Sequence, residues 1–197
     1  MIDRHRGTDV SAAVRARQGF VQGRWSVAGL RVWPTTPGIV LAEVDGQRAG
    51  VAISSPPGWA TDGPAGRTNE LAAQRFGVSD YFLYGPAVVD DAYRRRGVLD
   101  AMVRGLFTDA AVSYAVGVAF IEDANTASMT AHTRLGFTGF AAFTLGDRGY
   151  RCLSRATCSL GRSAQDGNHR PGHASHRRQR QAGVLRAPGD ARDRNQR

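Results

Sequence analysis

The chain has 197 residues, of which 42% are hydrophobic, and this is enough to build one domain-sized core. No segment approaches the roughly 20 consecutive apolar residues that a membrane-spanning helix needs, so we expect no membrane partner. The net charge is +9, but residues 161–197 hold nine Arg against three Asp, which leaves only +3 on residues 1–160 and disfavours a nucleic-acid-binding domain.

The pattern of apolar and turn-forming residues predicts alternating helices and strands. Thr8 and Asp9 can cap a first helix that ends near Gln22. Asp45 and Gly46 separate two β-rich segments, and Asp-Gly is a strong signal for a hairpin turn. After the first helix, the predicted elements are strands at 38–44 and 48–54, a loop at 56–66, a helix at 69–76, a strand at 81–89, a helix from 97 to 113, a strand at 116–121, a helix at 127–135 and strands at 137–145 and 149–153.

The two ends of the chain carry little apolar sequence. Residues 1–7 lack the apolar core of a secretory signal, which favours a cytoplasmic location. Residues 161–197 have too few large apolar residues to offset the entropy of ordering, so we expect a folded domain at 1–160 and a disordered basic tail at 161–197. This tail could be a dispensable or frame-shifted extension, an arm that binds nucleic acid or an acidic partner, or a subunit contact.

Cysteine usage does not predict a disulfide framework, because the chain has only Cys152 and Cys158. These two residues, with His169 and His173, come near the spacing of a zinc finger. However, Cys152 falls in a predicted strand and the segment lacks the apolar residues that pack a finger. We therefore predict no metal site.

Between Ala87 and Leu99, the chain passes from an extended apolar run through an arginine-rich turn into a helix. The N-terminus of a helix has unpaired backbone N–H groups and carries about half a positive charge, so it attracts anions. Gly97 permits close approach of a ligand to the backbone. The three consecutive arginines at 94–96 add cationic donors that suit phosphate oxygens. The turn therefore predicts a phosphate-binding site.

Two blocks of sequence resemble the GNAT superfamily of N-acyltransferases. Arg94-Arg95-Arg96-Gly97-Val98-Leu99 resembles the acyl-CoA signature Arg/Gln-x-x-Gly-x-Gly/Ala, with Leu99 in place of the usual small residue. From Asn125 the chain reads Asn-Thr-Ala-Ser-Met-Thr-Ala-His-Thr-Arg-Leu-Gly-Phe. This run is similar to the superfamily's Asn-x-x-Ala/Ser-x-x-x-Tyr/His-x-x-x-Gly-Phe block in order and spacing.

The resemblance implies an α+β fold with three layers, in which helices flank a mixed, mostly antiparallel central sheet. The fourth and fifth strands of this fold splay apart, and here they are the segments 81–89 and 116–121. The N-terminus starts too close to the first helix to supply the superfamily's first strand. We therefore expect either that this strand is missing or that the start of the sequence is mis-assigned, and an exposed sheet edge would then favour a homodimer.

The function that the resemblance implies is transfer of an acetyl group from acetyl-CoA directly to an amine, either of a small molecule or of a protein. The pantetheine arm would pair with the backbone of the fourth strand, and the pyrophosphate would lie on N–H groups of the arginine turn. The implied cofactor-binding residues are Ala87, Val88, Val89, Arg94, Arg95, Arg96, Gly97, Val98, Leu99 and Asn125. The alternative is a non-catalytic acyl-CoA-binding module of the same fold.

The catalytic groups are less clearly marked than the cofactor site. His132 stands where the superfamily commonly has a tyrosine that protonates the CoA thiolate, and an imidazolium could serve as this general acid. Structural packing is the other interpretation of His132. No motif marks the general base, for which Glu70, Asp80, Glu122 and water are the candidates. Asn125 fits a helix N-cap, a cofactor contact or both.

No transferable motif identifies the acceptor amine. In the superfamily its binding residues come from the first helices and from the loop before the fourth strand, here 18–33 and 56–75. Trp25, Trp33 and Trp59 fall in these segments. They fit either an aromatic pocket or ordinary packing in the core and loops.

Overall fold

The computed structural model describes residue 21, residues 26–157 and the backbone of residues 184–186. The predicted first helix lies outside these residues, apart from Val21. No helix in the described part is long and apolar enough to cross a membrane. The elements are α1 (Val27–Arg31), β1 (Ile39–Val44), β2 (Gln47–Ser55), α2 (Gly63–Phe76), β3 (Tyr81–Val89), a 3-10 helix (Asp91–Tyr93), α3 (Val98–Ala110), β4 (Val116–Glu122), α4 (Thr126–Arg134), β5 (Thr138–Leu145), β6 (Arg148–Ala156) and β7 (Val184–Arg186).

The strands form one sheet in the order β5-β6-β4-β3-β2-β1-β7. Two neighbouring pairs are parallel, β3 with β4 and β1 with β7, and the other pairs are antiparallel. Helices pack on both faces of the sheet. The predicted fold class, a mixed and mostly antiparallel sheet flanked by helices, is confirmed.

The predicted β1–β2 hairpin is confirmed, and its turn explains why it forms. Asp45 has φ of 51° and Gly46 has φ of 74°, so both turn residues are left-handed. Two left-handed residues define the turn whose twist matches that of the flanking strands, and Asp-Gly is a preferred sequence for it. The side chains of Val40, Ala42 and Val44 alternate with partly exposed neighbours and reach the core.

Helix α2 begins at Gly63, six residues before the predicted start at Asn69. The Pro/Gly composition of this segment indicates a loop, but proline is well tolerated in the first helical turn, where Pro64 lies. Gly66 lies directly against the backbone of Thr61, where a Cβ would come within 2.6 Å of the Thr61 carbonyl oxygen. A glycine here therefore permits close packing rather than interrupting the helix.

The core lies on both faces of the central strands β3 and β4. On one face, α3 packs Met102 and Phe107 against Phe82 of β3. On the other face, Ala72 of α2 packs against Tyr81 of the same strand. The side chains of successive residues of β3 thus pack on opposite faces of the sheet, as they do in any β-strand. This produces the three-layer arrangement and fixes β3 and β4 at its centre.

The edge of the sheet at β1 is covered by a segment of the same chain. The backbone of Val184–Arg186 runs parallel to β1 and pairs with Leu41, Ala42 and Glu43. These residues belong to the segment 161–197, for which we expect disorder, and they lie at the edge that we expect to be open. At this position the backbone groups of the two segments pair with each other, so a short strand of three residues is added to the sheet.

Candidate functional site

The parallel pair of strands, β3 and β4, separates along its length. Residues 81–83 pair with residues 116–118, and the pairing ends there. On its other side, β3 pairs Tyr84 with Ser54 and Ala87 with Ala52, so that Gly85 and Pro86 together lie opposite Ile53. Such a bulge bends a strand and increases its twist, and glycine and proline are typical of it. The predicted splay is confirmed, and it opens a cleft beyond Leu83.

A cavity of about 380 Å³ lies at one side of this cleft. It is lined by the end of β3, the arginine turn, the start of α3 and one face of α4, and we call it the turn-side cavity. All the sequence-predicted cofactor residues line it except Arg96 and Asn125. The chain fold therefore brings the two motif blocks together.

The backbone of the arginine turn is shaped to receive an anion. Arg95 and Gly97 have φ of 61° and 78°, both in the left-handed region. Turn conformations of this kind direct successive N–H groups toward a common point. Gly97 is the N-cap of α3 and has no side chain to occupy the first N–H groups of the helix. A left-handed arginine costs about 1–2 kcal/mol, and such strain is typical of binding sites.

The three arginines of the turn have different positions. Arg94 is half-buried, with Nη2 2.8 Å from a carboxylate oxygen of Asp91 and Nε 3.4 Å from the Val89 carbonyl oxygen. Arg95 is exposed and lines the cavity. The guanidinium of Arg96 lies over the ring of Tyr93 at 5.4 Å, and Arg96 does not line the cavity.

Leu99 also lines the turn-side cavity and packs partly against the core. The larger side chain at this position is thus accommodated without disturbing the start of α3. Asp100 and Arg134, which the sequence analysis did not single out, line the same cavity. Asp100 forms an ion pair with Arg104 one turn further along the helix.

Asn125 is the N-cap of α4. Its side-chain oxygen accepts a hydrogen bond from the backbone N–H of Ser128 at 3.2 Å, and the residue is 6% exposed. This side chain lies outside the turn-side cavity and lines a second one, described below. The structure therefore shows the capping role.

His132 is buried between the two cavities and lines both. Its Nδ1 lies 2.7 Å from the carbonyl oxygen of Ser128, so Nδ1–H donates to this oxygen and Nε2 carries the lone pair. Its ring packs against Tyr84 and Phe137. Burial lowers the pKa of His132 below 6.5, and the bond to Ser128 only partly opposes this shift. His132 is therefore a neutral imidazole at pH 7.

Ser128 was not predicted as a site residue, although it precedes His132 by four positions, the spacing that brings two residues of a helix together. Tyr84, whose ring packs against His132, is not suited to act as a base. Its ring is almost wholly buried, and burial raises the pKa of Tyr84 far above its usual range. It stays protonated at any working pH.

The second cavity, of about 600 Å³, is also lined by His132 and we call it the tryptophan-side cavity. It is lined by Trp33, Trp59, the start of α2, the bulge of β3 and the end of β4. The two cavities share four lining residues, which are Val21, Ala87, Ser128 and His132. The two cavities therefore meet at the split between the strands.

Glu122, the last residue of β4, lines the tryptophan-side cavity and is 7% exposed. One of its carboxylate oxygens is 3.6 Å from Nη1 of Arg148. The other two carboxylates considered as bases, Glu70 and Asp80, line neither cavity. The structure thus brings Glu122 and His132 to one cavity and leaves Glu70 and Asp80 outside.

A sheet split between a parallel pair of strands, beside the N-terminus of a helix that follows an arginine turn, is the arrangement that the resemblance to the GNAT superfamily implies. No protein-family model and no curated protein matches the chain. Among solved structures, the chain is similar to the ribosomal-protein-S18-alanine N-acetyltransferase from Escherichia coli, with 16% identity, a TM-score of 0.47 and coverage of 81% of this chain and 95% of that one.

The chain is also similar to a ribosomal-protein-alanine N-acetyltransferase from Brucella melitensis, with 18% identity, a TM-score of 0.45 and coverage of 60% and 67%. An N-acetyltransferase from Staphylococcus aureus has 18% identity, a TM-score of 0.44 and coverage of 59% and 69%. A fold shared at such identities does not determine a substrate.

Proposed function

We propose that the chain is an N-acetyltransferase that transfers an acetyl group from acetyl-CoA directly to an amine. The observation that carries this proposal is that two cavities meet at His132 in the split between β3 and β4. One cavity has an anion-binding turn and the other has a buried carboxylate. A donor that carries phosphates and an acceptor that carries a positive charge would therefore each reach His132 through a cavity of its own.

The turn-side cavity fits an acyl-CoA. Its left-handed backbone at Arg95 and Gly97, and the start of α3, supply N–H donors for a pyrophosphate. Arg94 and Arg95 supply cationic donors at the same place. Because β4 does not pair with residues 84–89, the cleft edge of β3 is open to the amide groups of a pantetheine arm.

His132 is suited to carry a proton between the two substrates. After the bound ammonium has lost one proton to water, the neutral amine attacks the thioester carbonyl and a C–N bond forms. The second proton of that nitrogen passes to the lone pair on Nε2 of His132. The C–S bond then breaks, and the thiolate takes this proton from the imidazolium. His132 thus becomes an imidazolium only when it takes the proton from the amine. It can then act as the general acid that the resemblance implies.

Turnover by the full chain tests the proposal. The chain is incubated with acetyl-CoA and a panel of amines, and both the released thiol and the acetylated amine are measured. We expect one thiol for each acetylated amine and no acetylated protein by mass spectrometry, since the attack is direct. Binding of acetyl-CoA without transfer to any amine would contradict the proposal and would favour a non-catalytic acyl-CoA-binding module.

A further inference from the structure

The described residues that line the tryptophan-side cavity differ in charge from the chain as a whole. The chain has 26 basic residues and a net charge of +9. However, no arginine is among the described residues that line this cavity, whereas the carboxylates of Asp62 and Glu122 are. His132, at the boundary with the other cavity, is neutral. The cavity therefore favours a cationic ligand over an anionic one.

Glu122 contributes most to this preference. Asp62 precedes α2, where its charge is offset by the positive end of that helix. Glu122 is buried at the end of β4, where charges interact more strongly than they do in water. Arg148 forms an ion pair with Glu122 at 3.6 Å, and because Arg148 is about half exposed, water screens this pair in part. A carboxylate accepts several hydrogen bonds, so an ammonium group can be added to the existing partners of Glu122.

The walls of the cavity are aromatic and apolar. The indole N–H of Trp33 donates to the carbonyl oxygen of Ser54 at 2.7 Å, so its polar atom is engaged and its ring offers an apolar surface. The ring of Trp59 lies edge-on to that of Trp33, with centroids 5.8 Å apart. Trp59 is 46% exposed, although burial of a tryptophan is strongly favourable. These rings provide a surface for another ring, and indoles also attract cations.

Starting from the proposed function, we infer that the acceptor is a small primary amine that carries an aromatic or bulky apolar group. Its ring lies against Trp33 and Trp59, and its ammonium lies at Glu122. The volume of about 600 Å³ is within the range of small-molecule sites. Aminosugars and polyamines fit less well, because their remaining polar groups would be buried against apolar walls without partners.

Calorimetry on the full chain without acetyl-CoA tests this inference with three probes. 2-Phenylethylamine has a ring and a charge, 2-phenylethanol has the ring alone, and n-propylamine has the charge alone. We expect 2-phenylethylamine to bind at least about tenfold more tightly than either of the others, because each loses one class of contact. Equal affinities for n-propylamine and 2-phenylethylamine would overturn the inference. This comparison uses the wild-type protein alone.

Two variants locate the contacts. Glu122→Gln should weaken 2-phenylethylamine binding about tenfold and leave 2-phenylethanol unaffected, since only the charged contact is lost. Trp59→Ala should weaken both ring-bearing probes. Asp109→Asn is the control for Glu122→Gln, because it removes an exposed carboxylate on α3 outside both cavities. An unchanged affinity for 2-phenylethylamine in Glu122→Gln would contradict the assignment of the ammonium site.

The acceptor inference and the proposed function fail in different ways. Charge-dependent and ring-dependent binding of 2-phenylethylamine without acetyl transfer would support the cavity assignment and contradict the enzyme. Transfer of acetyl groups only to spermidine or to peptide amines would support the enzyme and overturn the acceptor class.

Discussion

At the scale of single residues, His132 shows what sequence could and could not predict. Its position in the second motif block is read directly from the sequence, and so is its neighbour Asn125 at the start of the helix. Its protonation state is not, because this depends on burial of the ring against Phe137 of the same block and against Tyr84, which comes from a distant part of the chain. The Nδ1–H bond to Ser128 then decides which nitrogen can accept a proton.

The pH dependence of the reaction tests the role of His132. The acceptor amine has a pKa near 10, so log(kcat/KM) should rise with pH at a slope of about one from this ionisation alone. Burial lowers the pKa of His132 below 6.5, and only its neutral form accepts the proton, so below that pKa the slope should increase to about two. His132→Gln should lower kcat and keep a slope of about one throughout. An unchanged slope in the wild type at low pH would contradict the assignment.

Arg95 and Arg96 provide a matched pair of substitutions in the turn. Arg95 lines the turn-side cavity, whereas the guanidinium of Arg96 lies on Tyr93. Arg95→Ala should weaken CoA binding about tenfold, because a charge-assisted hydrogen bond to phosphate is lost. Arg96→Ala should have a clearly smaller effect. Calorimetric titration of both variants with CoA measures the difference, and equal losses would show that the two arginines are interchangeable.

At the scale of elements, most strands and helices were predictable because their signals are local. The strand at 81–89 has the predicted bounds, and Asp45-Gly46 specifies the hairpin between β1 and β2. The bulge at Gly85 and Pro86 was not predicted, since a register shift depends on the partner strand β2. The early start of α2 was also missed, because Gly66 packs against a backbone that local composition does not reveal.

Gly117 in β4 determines how closely α3 can approach the sheet. A Cβ at this position would overlap the rings of Phe107 and Phe82. Gly117→Ala should therefore lower the free energy of unfolding by about 1–3 kcal/mol through overpacking. Urea denaturation measures this loss. Gly139→Ala is the control, because its Cβ would meet only Leu153 at an ordinary 3.9 Å and should change stability by about 0.5 kcal/mol or less.

At the scale of the whole molecule, charge is distributed in a way that composition does not show. The net charge of +9 describes the chain as a whole. Among the described residues, however, arginines line the turn-side cavity, whereas carboxylates and no arginine line the tryptophan-side cavity. The turn-side cavity was predictable because its residues form contiguous motifs. The tryptophan-side cavity was not, since Trp33, Trp59 and Glu122 come from separate segments that only the fold brings together.

The strand β7 makes residues beyond the predicted domain part of the sheet. Its backbone pairs with residues 41–43 of β1. A chain truncated after Thr157 should expose these backbone groups and self-associate as its concentration rises, because an open edge is a template for pairing. Light scattering coupled to size exclusion compares it with the full chain. A truncated chain with the same mass and the same concentration dependence as the full chain would show that β7 does not protect this edge.

The arginine turn and the start of α3 are proposed to bind the pyrophosphate of acetyl-CoA. Calorimetric titration of the full chain with acetyl-CoA measures this binding. Gly97→Glu places a carboxylate at the N-cap of α3, where it should block and repel the pyrophosphate and abolish binding. Gly146→Glu is the matched control, because Gly146 is also left-handed, with φ of 62°, and open around its Cα, but lies outside both cavities. Our expectation is binding by the wild type and by Gly146→Glu and none by Gly97→Glu. Undiminished binding by Gly97→Glu, or no binding by the wild type, would contradict it.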